Sequence, residues 1–356
     1  MAYNIERLLG NMVERGASSA HLKCRTPVYF RLLERLERTT HPVPDVPDLE
    51  FIATQVLEDW ERERLKVKHQ IDKIHLFGNP AKRFRFSFFR QRGTPGLVVR
   101  AIPSKIPSLK EIGMPPITAE ILQKRRGILL VTGPASSGKT TTVAAILSSW
   151  NDELENHIVT LENPIEYVLE SKKCVVTQRQ IGTDTESFGS GLRHVLRQDP
   201  DVIFIGELND LETLTIAIAA AETGHLVVST LHTPSASTTV EQIIGMYPPA
   251  LQEQVRLQLS LSLVGIISQV LVPTRDRTRR VAAFEVMTPS ESLRNLIRLN
   301  QSFRIPDALT ITPGCLALSR SLQDLVESGT ISATEARRFQ SDRLPAATQN
   351  VQPQPR

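Results

Sequence analysis

The clearest chemical signal in the sequence is a phosphate-binding loop. Residues 133–140, GPASSGKT, match the pattern G-x-x-x-x-G-K-[ST] without a gap, after an apolar run (ILLVT) and before a helical one (TTTVAAIL). Backbone N–H groups at a helix N-terminus converge on phosphate oxygens. In such loops the lysine, here Lys139, lies at the β- and γ-phosphates, and the hydroxyl of Thr140 binds Mg²⁺. The motif therefore predicts ATP and Mg²⁺ as ligands, with nucleotide contacts from Gly133, Pro134, Ala135, Ser136, Ser137, Gly138, Lys139, Thr140 and Thr141.

Ser136 is unusual in this loop. Glycine is common at its position, and a tight left-handed turn there carries strain for a residue with a side chain. A tight left-handed turn at Ser136 would therefore strain the backbone.

Two acidic residues follow apolar runs downstream of the loop. Glu207 ends DVIFIGE, where a carboxylate beside the phosphate loop can hold the water shell of Mg²⁺. Glu162 ends HIVTLE and is our candidate for orienting or deprotonating the attacking water. Taken alone, Glu162 is equally typical of an ordinary acid at the end of a strand.

Two histidines, His225 and His232, bracket the apolar run LVVSTL. A spacing of seven residues along a strand puts them at opposite ends and on opposite faces, which is poor geometry for one metal site. A core histidine and a γ-phosphate sensor are both open for each. For His232, at the carboxyl end of the strand, we favour the sensor.

The composition is that of a globular protein, with 40% hydrophobic and 22% charged residues. The sequence has no apolar stretch of the roughly 18 residues that a membrane span needs, and its N-terminus does not resemble a secretory signal. The three cysteines lie far apart without a CxxC pair, which excludes a tetra-cysteine zinc site and a disulfide framework and fits a reducing cytosol. Residues 1–116 carry 20 Lys and Arg against 13 Asp and Glu, whereas the remainder carries 22 against 25.

The pattern along the chain predicts α/β architecture in two domains. Within residues 82–93, KRFRFSFFRQRG, phenylalanines alternate with arginines at a period of two, which indicates a strand with one apolar and one basic face. A proline-rich linker is expected at 103–116. From residue 127 apolar strands alternate with helices, which implies a parallel sheet covered by helices. After about residue 248 we expect mostly helix, and residues 341–356 are expected to be disordered.

These segments together resemble a known family. The runs GPASSGKTTTVAAIL, TLENPIEY, LRHVLRQDPDVIFIGELNDLET and AAETGHLVVSTLHT resemble the Walker A, aspartate, Walker B and histidine boxes of the secretion ATPases. The match is closest to the PilT-like ATPases that power retraction of type IV pili. It extends to GASSAHL, RFRFSFFRQRG, VVRAIPSK, SLRNLIR and LSRSLQDLVESGTISATEA, and so covers roughly residues 4–340.

The resemblance implies a PAS-like N-terminal α+β domain at 1–102, a RecA-like ATPase core at 117–250 and a helical C-terminal part of that domain at 251–340. It implies a homohexameric motor that hydrolyses ATP, lies in the cytoplasm at the inner face of the inner membrane, and works with the pilus platform protein and machinery. It also implies that His232 takes part in catalysis, that His225 contacts the nucleotide, and that arginines complete the site, namely Arg85, Arg100, Arg193 and Arg197.

Three departures from the family pattern bear on the rate of hydrolysis. Asn163 replaces the aspartate of the aspartate box, Asn209 replaces an arginine after Walker B, and Ser19 and Ala20 replace the Asp-Leu of the N-terminal motif. Alternative functions are therefore a related type IV secretion ATPase that serves export, or an auxiliary retraction subunit that hydrolyses ATP weakly. A nucleic-acid motor is disfavoured, because the arginine strand lacks the pattern of a nucleic-acid module and carries its aromatics on the apolar face.

Overall fold

The chain divides into two compact units. The computed structural model describes residues 3–33, 35–78, 81–103 and 105–341. The first unit comprises Met1–Lys105 together with Pro164–Tyr167, and the second comprises Ile106–Asn163 and Val168–Arg356. The predicted disorder of the tail after residue 341 lies outside the described residues.

The first unit is an antiparallel six-stranded sheet with helices packed against it. The strands follow the order β3-β2-β1-β6-β5-β4. Its elements are α1 (Ile5–Glu14), β1 (Ser19–Lys23), β2 (Thr26–Leu32), β3 (Arg35–Arg38), α2 (Val46–Val56), α3 (Asp59–Lys68), β4 (Gln70–Phe77), β5 (Lys82–Gln91) and β6 (Thr94–Ile102).

The core of the first unit follows from the periods of its segments. On β5 the side chains of Phe84, Phe86 and Phe88 are buried and the residues between them are not, which confirms the predicted two-faced strand. Helix α1 places its apolar residues at helical spacing against the same core, and its N-terminus is capped by Asn4, whose side chain accepts a hydrogen bond from the backbone N–H of Arg7 at 2.8 Å.

The second unit is a seven-stranded sheet with helices on its faces, in the order β13-β12-β7-β11-β10-β8-β9. All neighbouring strands pair parallel except β12 and β13, so the predicted parallel sheet is confirmed. Its elements are α4 (Ala119–Leu122), β7 (Gly127–Thr132), α5 (Lys139–Glu153), β8 (His157–Glu162), β9 (Val175–Gln180), α6 (Phe188–Val195), β10 (Val202–Ile205), α7 (Leu211–Glu222), β11 (Leu226–Leu231), α8 (Ala236–Gly245), α9 (Pro249–Ser262), β12 (Leu263–Pro273), β13 (Arg280–Met287), α10 (Glu291–Arg298), α11 (Ile305–Ile311), α12 (Leu318–Glu327) and α13 (Ala333–Ser341), with 3₁₀ turns at Pro116–Thr118 and Ser302–Arg304.

The expectation that residues 251–340 are helical was wrong in part. Helix α9 ends at Ser262, and β12 begins at the next residue and forms a hairpin with β13. The run SLSLVGIISQVL is mostly apolar, and a buried helix and a buried strand look alike in such a run. The segment forms a strand because its β-branched residues favour extended backbone and because it pairs with β7.

The segment predicted as a linker belongs mostly to the second unit. From Ile106 onward the chain groups with that unit, and Ile106, Leu109 and Met114 pack against one of its cores. Prolines remove backbone donors but leave such apolar contacts possible. Among the helices of the described ranges, none combines the length and hydropathy that crossing a bilayer requires.

Candidate active site

The phosphate loop runs from the carboxyl end of β7 to the first turn of α5. Its backbone has positive φ at three residues: +146° at Gly133, +62° at Ser136 and +90° at Gly138. Ser136 therefore has the left-handed conformation, which costs about 1–2 kcal/mol for a residue with a Cβ. The loop leads into a 15-residue helix, whose first N–H groups lack partners within the helix and favour an anion.

Lys139 begins α5 and is only 8% exposed. Its Nζ donates to the carbonyl oxygens of Gly133 at 2.8 Å and Pro134 at 3.0 Å, and lies 3.2 Å from Nδ1 of His232. Burial lowers the pKa of the Lys139 ammonium, and the Glu207 carboxylate partly offsets this by raising it.

A hydrogen-bonded chain joins Lys139 to Glu207 through His232. Nε2 of His232 lies 3.2 Å from Oε1 of Glu207. An ammonium group can only donate, so Nδ1 of His232 must accept from Lys139 and Nε2 then carries the proton that is donated to Glu207. Asn209 also donates from its side chain to the Glu207 carboxylate. These side chains meet because β7, β11 and β10 are neighbours and parallel, so their carboxyl ends share one edge of the sheet.

Glu162 ends β8, the strand beside β10, and is buried at 7% exposure. It accepts hydrogen bonds from the Thr160 hydroxyl at 2.7 Å and from Nε2 of Gln178 at 2.9 Å. This carboxylate is held in one orientation, as a group that aligns water must be.

The residues present fit a magnesium–nucleotide ligand. Thr140 and Thr141 lie in the first turn of α5 and are partly exposed, and the Glu207 carboxylate is 44% exposed. Hydroxyl and carboxylate oxygens are ligands that Mg²⁺ prefers, and the ion usually takes few protein ligands beside substrate phosphates and water. Within the described ranges no three His, Cys, Asp or Glu side chains are grouped to hold a metal ion.

His225, predicted to contact the nucleotide, lies at the opposite edge of the sheet from the phosphate loop of the same chain. His225 precedes β11, and its carbonyl accepts from the N–H of Gly127, the first residue of β7, at 2.9 Å. It therefore lies at the amino edge of the sheet, whereas the loop follows the carboxyl edge; six strand residues span about 20 Å. The equal rise of parallel strands makes this separation unavoidable.

The four predicted arginines are divided between the two units. Arg85 on β5 and Arg100 on β6 face each other across one register position in the first unit. Arg85 donates to Asp72 at 2.7 Å and forms an ion pair with Glu166 at 3.5 Å. In the second unit Arg193 on α6 is paired with Glu212 on α7, and Arg197 is exposed just after α6.

The sequence analysis missed the contribution of β12 to this site. Nε2 of Gln269 donates to the carbonyl of Ser137 at 2.7 Å, and the Ser268 hydroxyl lies 2.7 Å from that of Thr132. The adjacent polar residues Ser268 and Gln269 inside the run IISQVLV were the available signal, because buried polar groups require partners.

Comparison with known proteins places the chain in a family. The sequence model of the type II/IV secretion system protein family matches residues 3–336. The chain belongs to this family. A member from Pseudomonas aeruginosa, the type IV pilus retraction ATPase PilT, is 39% identical over 337 residues, which are 94% of this chain and 97% of that protein. A twitching motility protein from Neisseria gonorrhoeae is 40% identical over 88% of this chain and 84% of its own length. The crystal structure of the pilus retraction motor PilT with bound ADP superposes with a TM-score of 0.82 at 37% identity, covering 94% of this chain and 96% of that one.

Proposed function

We propose that this secretion ATPase is a motor that couples ATP hydrolysis to retraction of type IV pili, and so to twitching motility. The observation that carries the proposal is the chain of contacts from Lys139 through His232 to Glu207 at the phosphate loop. It links the group that meets the phosphates to the carboxylate that serves the metal. The likeness to PilT over nearly the whole chain supports retraction as the work that this hydrolysis drives.

Each side chain at the loop has a chemical role in this proposal. The N–H groups of residues 133–141 bind the phosphates, and Lys139 leaves the carbonyls of Gly133 and Pro134 to neutralise charge on the β- and γ-phosphates. Glu162, oriented by the hydrogen bonds from Thr160 and Gln178, aligns the attacking water and accepts its proton. His232 contacts both Lys139 and Glu207, so a movement of Lys139 toward the γ-phosphate changes the hydrogen bond that His232 makes to Glu207.

Magnesium would be held by the Thr140 hydroxyl and, through water, by Glu207. When bound, the ion neutralises charge on the phosphates. Asn209 already donates to Glu207, so the replacement of the usual arginine leaves this carboxylate oriented.

We also propose that the working form is a homohexamer in the cytoplasm at the inner face of the inner membrane, in contact with the pilus platform protein. The first unit, with its PAS-like α+β character, would supply Arg85 and Arg100 to a nucleotide, and the second unit would supply Arg193 and Arg197. A guanidinium that reaches the phosphates from outside the loop acts mainly in the transition state. The basic excess of residues 1–116 has this use, and nucleic acid is not needed to explain it.

The test compares Lys139→Ala and Glu207→Gln with Lys172→Ala, a control lysine paired with Asp152 at an exposed site. Lys139→Ala should abolish phosphate release. Glu207→Gln should still bind ATP but turn over at least about 10²-fold more slowly, the scale of a lost catalytic group. Lys172→Ala should behave like the wild type.

Near-normal turnover of Glu207→Gln would overturn the hydrolytic assignment. The motor role is tested by pilus retraction in a strain that lacks the protein and is complemented with the wild type or with Lys139→Ala. Retraction restored by Lys139→Ala would contradict it.

A further inference from the structure

Strand β12 contacts the back of the phosphate loop through one side chain. Ser268 pairs with Thr132, the last residue of β7, so Gln269 is the first residue of β12 beyond the point where β7 gives way to the loop. Gln269 is 1% exposed, and its Nε2 donates to the Ser137 carbonyl at 2.7 Å. The carbonyl can only accept, which fixes which end of the amide faces the loop.

The same residue touches both ends of the loop. A Cβ on Gly133 would lie 2.3 Å from the Gln269 carbonyl oxygen, and one on Gly138 would lie 3.2 Å from its Nε2. Gln269 thus supports the loop from behind, and the left-handed residue Ser136 directly precedes Ser137, whose carbonyl accepts the hydrogen bond.

Two polar atoms at this contact are buried without partners among the described residues, namely Oε1 of Gln269 and Oγ of Ser137. Unpaired buried oxygen atoms destabilise a fold. An apolar side chain of similar size at 269 would remove one of them, so the stability of the core does not account for glutamine here. The hydrogen bond from Gln269 to the loop accounts for the glutamine at this position.

We propose that Gln269 is a positioning residue for nucleotide binding: its amide holds the Ser137 carbonyl, in the peptide one beyond that following Ser136, so that the strained loop keeps its N–H groups directed at the phosphates. The inference rests on the proposed nucleotide chemistry and adds a residue that acts through the loop. Without this hydrogen bond, Ser136 can relax toward an ordinary backbone conformation, and the N–H groups lose their common direction.

The test measures the KM for ATP, the kcat and the Kd for a fluorescent ADP in the full-length protein. Gln269→Leu should raise both the KM and the Kd by about 5- to 10-fold, the effect of one lost hydrogen bond, and change kcat by less than about twofold. The free energy of unfolding should stay near that of the wild type, because the substitution also removes the unpaired Oε1. Gln252→Leu is the matched control, since Nε2 of Gln252 also donates to a backbone carbonyl, that of Tyr247 on the neighbouring turn, at 3.1 Å.

A second substitution separates positioning from packing. Ser136→Gly relieves the backbone strain, so in the Gln269→Leu background it should recover a large part of the lost ADP affinity; a purely structural defect at 269 would not respond. If Gln269→Leu fails to fold, Gln269→Met keeps the length of the side chain and cannot donate to Ser137, so the same rise in KM is expected.

An unchanged KM and Kd in a folded variant at 269 would overturn the inference, and so would a loss of stability in both variants or the absence of recovery by Ser136→Gly. If the wild type and Gln269→Leu bind ADP equally well, only the role of Gln269 is refuted. A wild-type protein that binds no ADP refutes the proposed function itself.

Discussion

Gly133→Ala should destabilise the second unit and abolish ADP binding. A Cβ at this position would lie 2.3 Å from the carbonyl oxygen of Gln269 and 2.6 Å from Oγ of Ser137, at a φ of +146°. The positive φ alone costs about 1–2 kcal/mol. Because β12 is paired with β13 at Gln269 and with β7 up to Ser268, its carbonyl cannot move away easily, and overpacking of this kind adds about 1–3 kcal/mol. We therefore expect a loss of about 2–5 kcal/mol in the free energy of unfolding.

Gly224→Ala is the matched control for this prediction. Gly224 has a φ of +113°, but a Cβ there would meet no heavy atom within 4 Å. It should lose only the conformational part, about 1–2 kcal/mol, and keep ADP binding. Urea unfolding and titration with a fluorescent ADP measure both effects. Equal destabilisation by the two substitutions, or normal ADP binding by Gly133→Ala, would refute the reasoning that the strand behind the loop enforces its path.

Three further predictions concern charge and capping. Burial lowers the pKa of the Lys139 ammonium below its ordinary value of 10.5. Between the pKa of the folded state and that of the unfolded state the unfolded chain binds more protons, so the free energy of unfolding should rise with pH in that window. Urea unfolding at stepped pH should show a smaller slope for Lys139→Met than for the wild type, and equal slopes would contradict the prediction. Asn163→Asp should raise turnover or lower the Mg²⁺ needed for half activity, because it restores a negative charge beside Glu162; superimposable Mg²⁺ titrations would mean that residue 163 only caps the turn before Pro164. Arg294 on α10 donates hydrogen bonds to the carbonyls of Ser260, Leu261 and Leu263, where α9 ends. Arg294→Met should therefore lower the free energy of unfolding by about 2 kcal/mol, which is more than Arg298→Met should lower it. Equal losses in urea unfolding would refute the capping role of Arg294.

The phosphate loop could be predicted because its chemistry is local. The glycines, Lys139 and Thr140 lie within eight residues, and the flanking strand and helix have clear periods. The strain of a left-handed turn at Ser136 could also be anticipated, because glycine is common at this position and serine has a Cβ. Glu207 and Glu162 were identified for a related reason, because parallel strands bring their carboxyl ends to one edge.

The hydrogen bonds among these residues could not be predicted. The contact of His232 with both Lys139 and Glu207 depends on the strand order β7-β11-β10, which no single segment encodes. His225, a second histidine seven positions before His232, lies at the amino edge of the same sheet. Gln269 escaped notice because its segment is buried on both faces and mostly apolar, and only pairing with β7 shows it to be a strand.

Residues 164–167 connect the two units in a way that limits their exchange. This segment leaves the second unit directly after Asn163 and returns at Val168, and within the first unit Arg83 donates to the carbonyls of Ile165, at 3.0 Å, and Glu166. The chain therefore passes between the units three times, so a single protease cut near residue 105 separates residues 1–105 from a fragment that still carries residues 164–167 of the first unit. A fragment beginning at residue 106 carries two carbonyls that have lost their arginine. Chimaeras that replace residues 1–105 with those of another ATPase must supply a guanidinium at the place of Arg83, so the two units cannot be recombined as independent modules.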